Sequence, residues 1–144
     1  MTPGSAWWLL LPLPLLLLPL FLRRRRFVAT PDFIDGMIAA DVVPKMVNKR
    51  WRWVMSESDG APYAGRVADG VALSDLLHPE AYSTTEAGLI KTRLSTTLET
   101  AGLLAMAKRY RVLCTEDPTL ARLAAALGID VYDRATWLEH FGKK

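Results

Sequence analysis

The carboxyl half of the chain alternates between helix-like and strand-like patterns. The apolar spacing predicts a helix, a short buried strand, a helix, an alternating strand and a final helix over the ranges 84–110, 111–115, 118–127, 129–132 and 134–141. Pro118 fits the first turn of the second helix, and Gly128 fits the position after its end. This order predicts a single small α/β domain with a parallel sheet flanked by helices, because parallel strands are joined by right-handed helical crossovers.

The net charge hides an uneven layout. Of the 144 residues, 18 are Lys or Arg and 15 are Asp or Glu, but Arg23 to Arg26 supply four of the bases and no acid precedes Asp32. The remainder therefore carries 14 bases against 15 acids, which does not indicate a basic nucleic-acid-binding body. The single cysteine, Cys114, excludes an internal disulfide framework and is typical of a small core residue.

The amino-terminal segment is apolar and ends in the arginine block. Ala6 to Leu22 is apolar throughout, three prolines included, and the flanking Trp and Arg residues are types that settle at membrane interfaces. In a helix its 17 residues would span about 25 Å, at the short end for a bilayer core. We therefore expect one transmembrane or membrane-anchor helix in residues 1–26, contacting lipid through residues 7–26, followed by a domain in residues 27–144.

The position of the arginines indicates an orientation. A cleaved secretory signal has its positive charge before the apolar stretch, whereas here the charge follows it. The positive-inside rule keeps this flank in the cytoplasm, so we expect a single-pass membrane protein with a cytoplasmic carboxyl-terminal domain. A misassigned start codon, or a segment that lies on the bilayer without crossing it, are the alternatives.

The amino half of the body is patterned less strongly. Phe27 to Thr30 is compatible with a strand, and Asp32 to Val43 has helical spacing with Asp32 as its N-cap. Residues 56–70 are interpreted as a loop with a short hairpin beside it. The cluster Lys49-Arg50-Trp51-Arg52-Trp53 has three interpretations: stacking on single-stranded nucleic acid, contact with lipid headgroups, or a strand with exposed cations and buried indoles.

Candidate chemistry lies after the strand at 111–115. Ligands of open parallel sheets bind at the carboxyl ends of the strands, where Cys114-Thr115-Glu116-Asp117 is expected. The run from Leu98 to Asp117 resembles the last third of PIN-domain proteins, which have an acid on a helix of small and apolar residues, then a strand, then a Thr-x-Asp turn. The resemblance covers roughly residues 84–141 and continues in Leu120, Leu123, Gly128-Ile129-Asp130-Val131 and Trp137-Leu138.

The resemblance implies a metal-dependent nuclease that acts on RNA, in which clustered carboxylates hold Mg²⁺ or Mn²⁺. Such cations prefer carboxylate oxygens, activate water and neutralise phosphate charge. Asp117 matches the acid of the Thr-x-Asp turn, and Glu99 the acid on the preceding helix, where Asp is usual. Asp35 or Asp32 matches the acid at the end of the first strand, although Pro31 is unexpected there.

These residues also have structural explanations. Asp117 precedes a helix that begins with proline and suits its N-cap, and Glu99 lies on a leucine-rich helix where acids usually face solvent. A further helix-borne acid has two weak candidates, Glu80 and Glu86. The two histidines, His78 and His140, are expected at the surface or in the core rather than at a metal.

Three functions follow. The first is a membrane-anchored PIN-like domain that cleaves or binds RNA. The second is a membrane accessory or assembly protein without catalysis, which docks onto a protein partner or a second copy. The third is a DNA-binding regulator, since residues 120–141 have the leucine-glycine rhythm of a helix-turn-helix, although the interval from Gly128 to Arg134 is long for that turn.

Overall fold

A five-stranded parallel sheet forms the centre of the domain. The computed structural model describes residues 25–142. Residues 1–24 of the expected membrane segment therefore lie outside the described range. The strands run in the order β5-β2-β1-β6-β7, and every neighbouring pair is parallel. Their bounds are β1 Arg25–Ala29, β2 Trp51–Ser56, β5 Leu77–Glu80, β6 Val112–Cys114 and β7 Asp130–Tyr132, and a separate antiparallel hairpin consists of β3 Val67–Ala68 and β4 Val71–Ala72.

Helices connect and cover these strands. Two short 3₁₀ turns, Val43–Met46 and Ala61–Tyr63, accompany them. Among the described residues no helix is both long and apolar enough to span a bilayer. The helices are α1 Pro31–Ala39, α2 Glu57–Gly60, α3 Leu73–Leu76, α4 Thr84–Leu94, α5 Leu98–Tyr110, α6 Pro118–Ala126 and α7 Arg134–Phe141. The predicted α/β fold with a parallel sheet flanked by helices is therefore confirmed.

The two faces of the sheet bury different cores, because successive residues of a strand point to opposite sides. On one face Phe27 and Trp53 pack with residues of α1 and α7, among them Phe33 and Trp137. On the other face the core consists of strand residues and residues of α4, α5 and α6, including Val28, Val54, Leu113, Ala87, Leu104 and Ala124. The sheet is thus the middle layer of three.

The first core is centred on aromatic rings. Trp53 is fully buried, its ring lies 4.7 Å from that of Phe27 and 5.7 Å from that of Phe33, and its indole Nε1 donates to the carbonyl oxygen of Met46 at 2.9 Å. Trp51 is half-buried and meets Phe27 edge to face at 5.7 Å. Neither indole forms an open stacking platform, so Trp51 and Trp53 belong to a strand with buried indoles and do not stack on nucleic acid, while the bases beside them leave contact with lipid headgroups open.

Three boundaries differ from the prediction. The expected single helix over residues 84–110 is two helices, because Ser95 adopts a left-handed conformation and the Thr97 hydroxyl caps α5 by accepting from the amide of Thr100. Helix α1 begins at Pro31 rather than at a capping Asp32. Strand β1 begins at Arg25, so the expected domain start at residue 27 falls within a strand.

The carboxyl-terminal elements lie close to their predicted positions. Strand β7 follows the Gly128 turn and pairs with β6 as an outer strand of the sheet. The segment around it is therefore not a helix-turn-helix, whose two helices are joined by a short turn and not by a sheet strand.

Candidate functional site

The carboxyl ends of all five parallel strands lie along one edge of the sheet, and this edge is acidic. Each strand ends in an acidic residue or is followed by one within three positions. These residues are Asp32 after β1, Glu57 and Asp59 after β2, Glu80 at the end of β5, Glu116 and Asp117 after β6, and Asp133 after β7. We call this side of the sheet the acidic edge.

Asp32 is held by two buried threonines at the ends of the central strands. The hydroxyl of Thr30 donates to Asp32 Oδ1, and the amide of Phe33 donates to the same oxygen at 2.8 Å. Thr115 Oγ1 lies 3.4 Å from both carboxylate oxygens of Asp32 and 3.1 Å from Thr30 Oγ1. The two hydroxyls thus orient an otherwise exposed carboxylate at the junction of β1 and β6.

Asp117 meets the same threonine from the other side. Its backbone amide donates to Thr115 Oγ1 at 3.2 Å. Its carboxylate Oδ1 accepts from the amides of Thr119 at 2.9 Å and Leu120 at 3.4 Å, which caps α6 as the sequence predicts. The hydroxyl of Thr115 therefore contacts the carboxylate of Asp32 and the backbone amide of Asp117, and we call these two residues the strand-end pair.

Asp35 serves a different contact. It lies one turn further along α1, where Tyr63 Oη donates to its Oδ1 at 2.8 Å and also lies 3.1 Å from the carbonyl oxygen of Pro31. Burial and the hydrogen bond to this carboxylate raise the pKa of Tyr63. The hydrogen bond between Asp35 and Tyr63 therefore connects the segment after β2 to α1.

Glu99 lines a groove at the carboxyl end of β2 and makes no contact with the strand-end pair among the described residues. The groove has a volume of about 260 Å³ and is lined by Ser56, Ser58, Asp59, Tyr82, Glu99, Thr100 and Leu103. Asp59 was not among the residues predicted from sequence. Asp59 lies three residues after β2. The sequence gives no reason to group it with the other candidate acids until the structure places β2 next to β1.

The remaining acids of the prediction are Glu80, at the end of the outer strand β5, and Glu86, on α4. Tyr110 Oη donates to Glu80 Oε2 at 2.7 Å, and burial together with this hydrogen bond raises the pKa of Tyr110. Glu80 and Glu86 line a separate cavity of about 200 Å³ with Arg109. Neither acid joins the strand-end pair.

Cys114 is a core residue. It is fully buried at the end of β6, and burial raises the pKa of its thiol well above the usual value. A protonated, enclosed thiol is a poor nucleophile, so the structural interpretation of this cysteine is correct.

The strand-end pair suits a hard divalent cation in donor type. Within residues 25–142, no three His, Cys, Asp or Glu side chains come together as a metal-ligating group. Asp32 and Asp117 nevertheless offer carboxylate oxygens, and Mg²⁺ is commonly held by one or two carboxylates together with water and substrate phosphates. In donor type, the two residues therefore fit a site that water and a phosphate ligand would have to complete.

Comparison with known proteins agrees with this fold class. No protein-family model and no curated protein matches the chain. Among solved structures, the chain is similar to the crystal structure of PAE2754 from Pyrobaculum aerophilum, with a TM-score of 0.58 and 15% identity over 83% of this chain and 96% of that one. At this identity the likeness shows the fold alone, an α/β domain built on a parallel sheet.

Proposed function

We propose that the chain is a PIN-like domain, held at the membrane by residues 7–26 with its body in the cytoplasm, that cleaves RNA with the help of Mg²⁺ or Mn²⁺. The observation that supports this most is the strand-end pair. Its two acids follow adjacent central strands and share the hydroxyl of Thr115. The ends of parallel strands are where α/β sheets bind ligands.

Each residue of the pair has a defined part in the proposal. The cation, when bound, supplies activated water and neutralises phosphate charge. Asp32 holds it with a carboxylate that Thr30 and Thr115 keep in one orientation. Asp117 uses Oδ1 to cap α6, so Oδ2 is its candidate ligand atom. Without the cation these carboxylates would repel a phosphodiester.

The adjoining groove extends the proposed site toward β2. Glu99 and Asp59 line it together with Ser56, the last residue of that strand. Because β2 pairs directly with β1, the groove and Asp32 lie at the carboxyl ends of adjacent strands. Glu99 therefore stays in the proposal as a residue that orders water or a second cation beside the pair.

Cleavage of single-stranded RNA by the full chain in lipid nanodiscs tests the proposal. We expect end-labelled RNA to be cut in the presence of Mn²⁺ and not after chelation. Asp32→Asn and Asp117→Asn should each lower the rate by about 100-fold, the usual cost of losing a positioned group that stabilises charge. Asp75→Asn, on an exposed residue before β5 at the opposite edge, is the matched control and should cleave normally.

The result that contradicts the proposal is equally specific. Metal-independent cleavage, or full activity in both substituted forms of the strand-end pair, would overturn the proposed metal site, and no cleavage at all would remove the nuclease function. A second function would then replace it, namely a membrane accessory protein without catalysis. One observation favours that alternative. The carboxylate of Asp35, expected as a metal ligand, accepts a hydrogen bond from Tyr63.

A further inference from the structure

The amino ends of the strands carry the opposite charge to the acidic edge. The three central strands begin at or next to bases, whereas the outer strands β5 and β7 begin near Asp75 and at Asp130. The bases are Arg25 and Arg26 in β1, Lys49, Arg50 and Arg52 at the start of β2, and Arg111 before β6. We call these six residues the basic edge. The backbone amide of Arg25 donates to the carbonyl oxygen of Arg50 at 2.6 Å, which joins the edge across two strands.

Two of these arginines lie side by side on neighbouring strands. Arg26 and Arg52 are partners in the register of β1 and β2, and both are half-buried. In each, Nε is buried and has no hydrogen-bond partner among the described residues. The Arg26 guanidinium also lies 5.0 Å from the ring of Tyr110. Like charges directly opposite each other destabilise a strand pair, so an anion between the two guanidinium groups would relieve this repulsion.

We propose that the basic edge docks onto anionic phospholipid, with Arg26 and Arg52 sharing a headgroup phosphate. The short separation along the chain between the apolar stretch and β1 supports phospholipid as the partner. The apolar stretch ends at Leu22 and β1 begins at Arg25, and three residues of extended chain reach only about 10 Å. A lipid-inserted apolar stretch therefore places the basic edge within reach of the headgroups. The inference rests on the proposed membrane attachment.

Docking in this orientation has a consequence for the acidic edge. Strand β1 has five residues, so the two edges are separated by about 17 Å at 3.3 Å per residue. That distance is roughly two Debye lengths at physiological ionic strength. The negative surface potential of the lipid is therefore largely screened at the strand-end pair, which faces away from the membrane.

A spin-label measurement on the full chain tests the orientation. Val47→Cys places a label beside the basic edge at a residue that is 55% exposed, and Glu57→Cys places one at the acidic edge. Cys114 is buried and stays unlabelled. In nanodiscs that contain phosphatidylserine and a nickel-chelating lipid, we expect strong relaxation of the label at residue 47 and little at residue 57. In phosphatidylcholine discs with the same chelating lipid, relaxation at residue 47 should fall.

Charge substitutions identify the residues responsible. In phosphatidylserine discs, Arg26→Gln/Arg52→Gln should reduce the relaxation at residue 47 by about half or more, because juxtamembrane bases supply the attraction to anionic lipid. Lys49→Gln/Arg50→Gln removes two exposed bases and should act in the same direction without disturbing packing. The control Arg93→Gln/Arg122→Gln removes equal charge from exposed helix positions, and relaxation should be unchanged.

The outcomes separate this inference from the function on which it rests. A chain that washes out of the nanodiscs overturns the membrane attachment and the docking together. A chain that stays embedded, with equal relaxation at residue 47 in both lipid mixtures, overturns the docking alone. Loss of lipid contact at residue 47 on addition of single-stranded RNA also overturns it, because nucleic acid would then be the partner of the basic edge.

Discussion

Asp117 has two roles that different substitutions separate. Its Oδ1 accepts from the amides of Thr119 and Leu120, and it belongs to the proposed metal site. Asparagine caps a helix as well as aspartate does, whereas alanine costs about 1 kcal/mol at this position. Asp117→Asn therefore keeps the cap and loses the carboxylate, while Asp117→Ala loses both.

The two substitutions should change the stability of the domain by different amounts. Without metal, Asp117→Asn should unfold within about 0.5 kcal/mol of wild type, the remaining difference being the charge at the amino end of α6. Asp117→Ala should be about 1 kcal/mol less stable, which lowers Tm by about 4 °C in a domain of this size. Mn²⁺ at ten times its Kd should stabilise wild type by about 1.4 kcal/mol and leave both variants unchanged.

Thermal unfolding followed by circular dichroism over a Mn²⁺ titration measures both effects. The matched control is Asp133→Asn, because Asp133 caps α7 through the amide of Thr136 at 2.7 Å and lies outside the strand-end pair. This control should retain the metal-induced shift. If Asp117→Asn is as unstable as the alanine form, the cap does not work as described, and if it keeps the shift with Mn²⁺, Asp117 is not a ligand.

Two further predictions concern packing and pH. Gly102→Ala would place a Cβ within 2.7 Å of ring atoms of Tyr82 and should destabilise the domain by about 1–3 kcal/mol. Gly88→Ala, whose Cβ would meet no neighbouring side chain within 4 Å, should stabilise it by about 0.5–1 kcal/mol. Urea unfolding compares the two variants, and equal effects on stability would contradict the contact between Gly102 and Tyr82. The raised pKa of Tyr63 means that the folded state holds the phenol proton more tightly than the unfolded state does. The contribution of this proton to folding stability is therefore complete below about pH 10 and is lost as the pH rises above that value. Tyr63→Phe should unfold with a weaker dependence on pH in that range, and an unchanged slope would show that Tyr63 does not contribute to it.

Local signals made the carboxyl-terminal elements predictable from sequence. Pro118 at the start of α6, Asp117 as its cap and Gly128 after its end act within a few residues, and the structure contains each of them in its expected role. The break between α4 and α5 was missed, because the apolar spacing continues through it. It depends on the left-handed Ser95 and the cap at Thr97.

The candidate site was predictable only in part, because it depends on strand order. Asp117 and Asp32 lie 85 positions apart in the sequence and meet at Thr115 only because β1 pairs with β6. The same dependence concealed Asp59, which lines a groove with Glu99 because β2 pairs with β1. The contact between Asp35 and Tyr63 required the path of the loop after β2, which the composition of residues 56–70 does not specify.

Manganese binding measured from the loss of the free Mn²⁺ signal in electron paramagnetic resonance tests the proposed metal site most directly. With two carboxylates at the site, the full chain should bind Mn²⁺ weakly on its own and more tightly with a non-cleavable oligonucleotide, whose phosphate completes the coordination. Asp32→Asn should abolish this tightening, and Asp75→Asn should preserve it. Equal binding by wild type and Asp32→Asn, or no binding even with the oligonucleotide, would contradict a metal site at the strand-end pair.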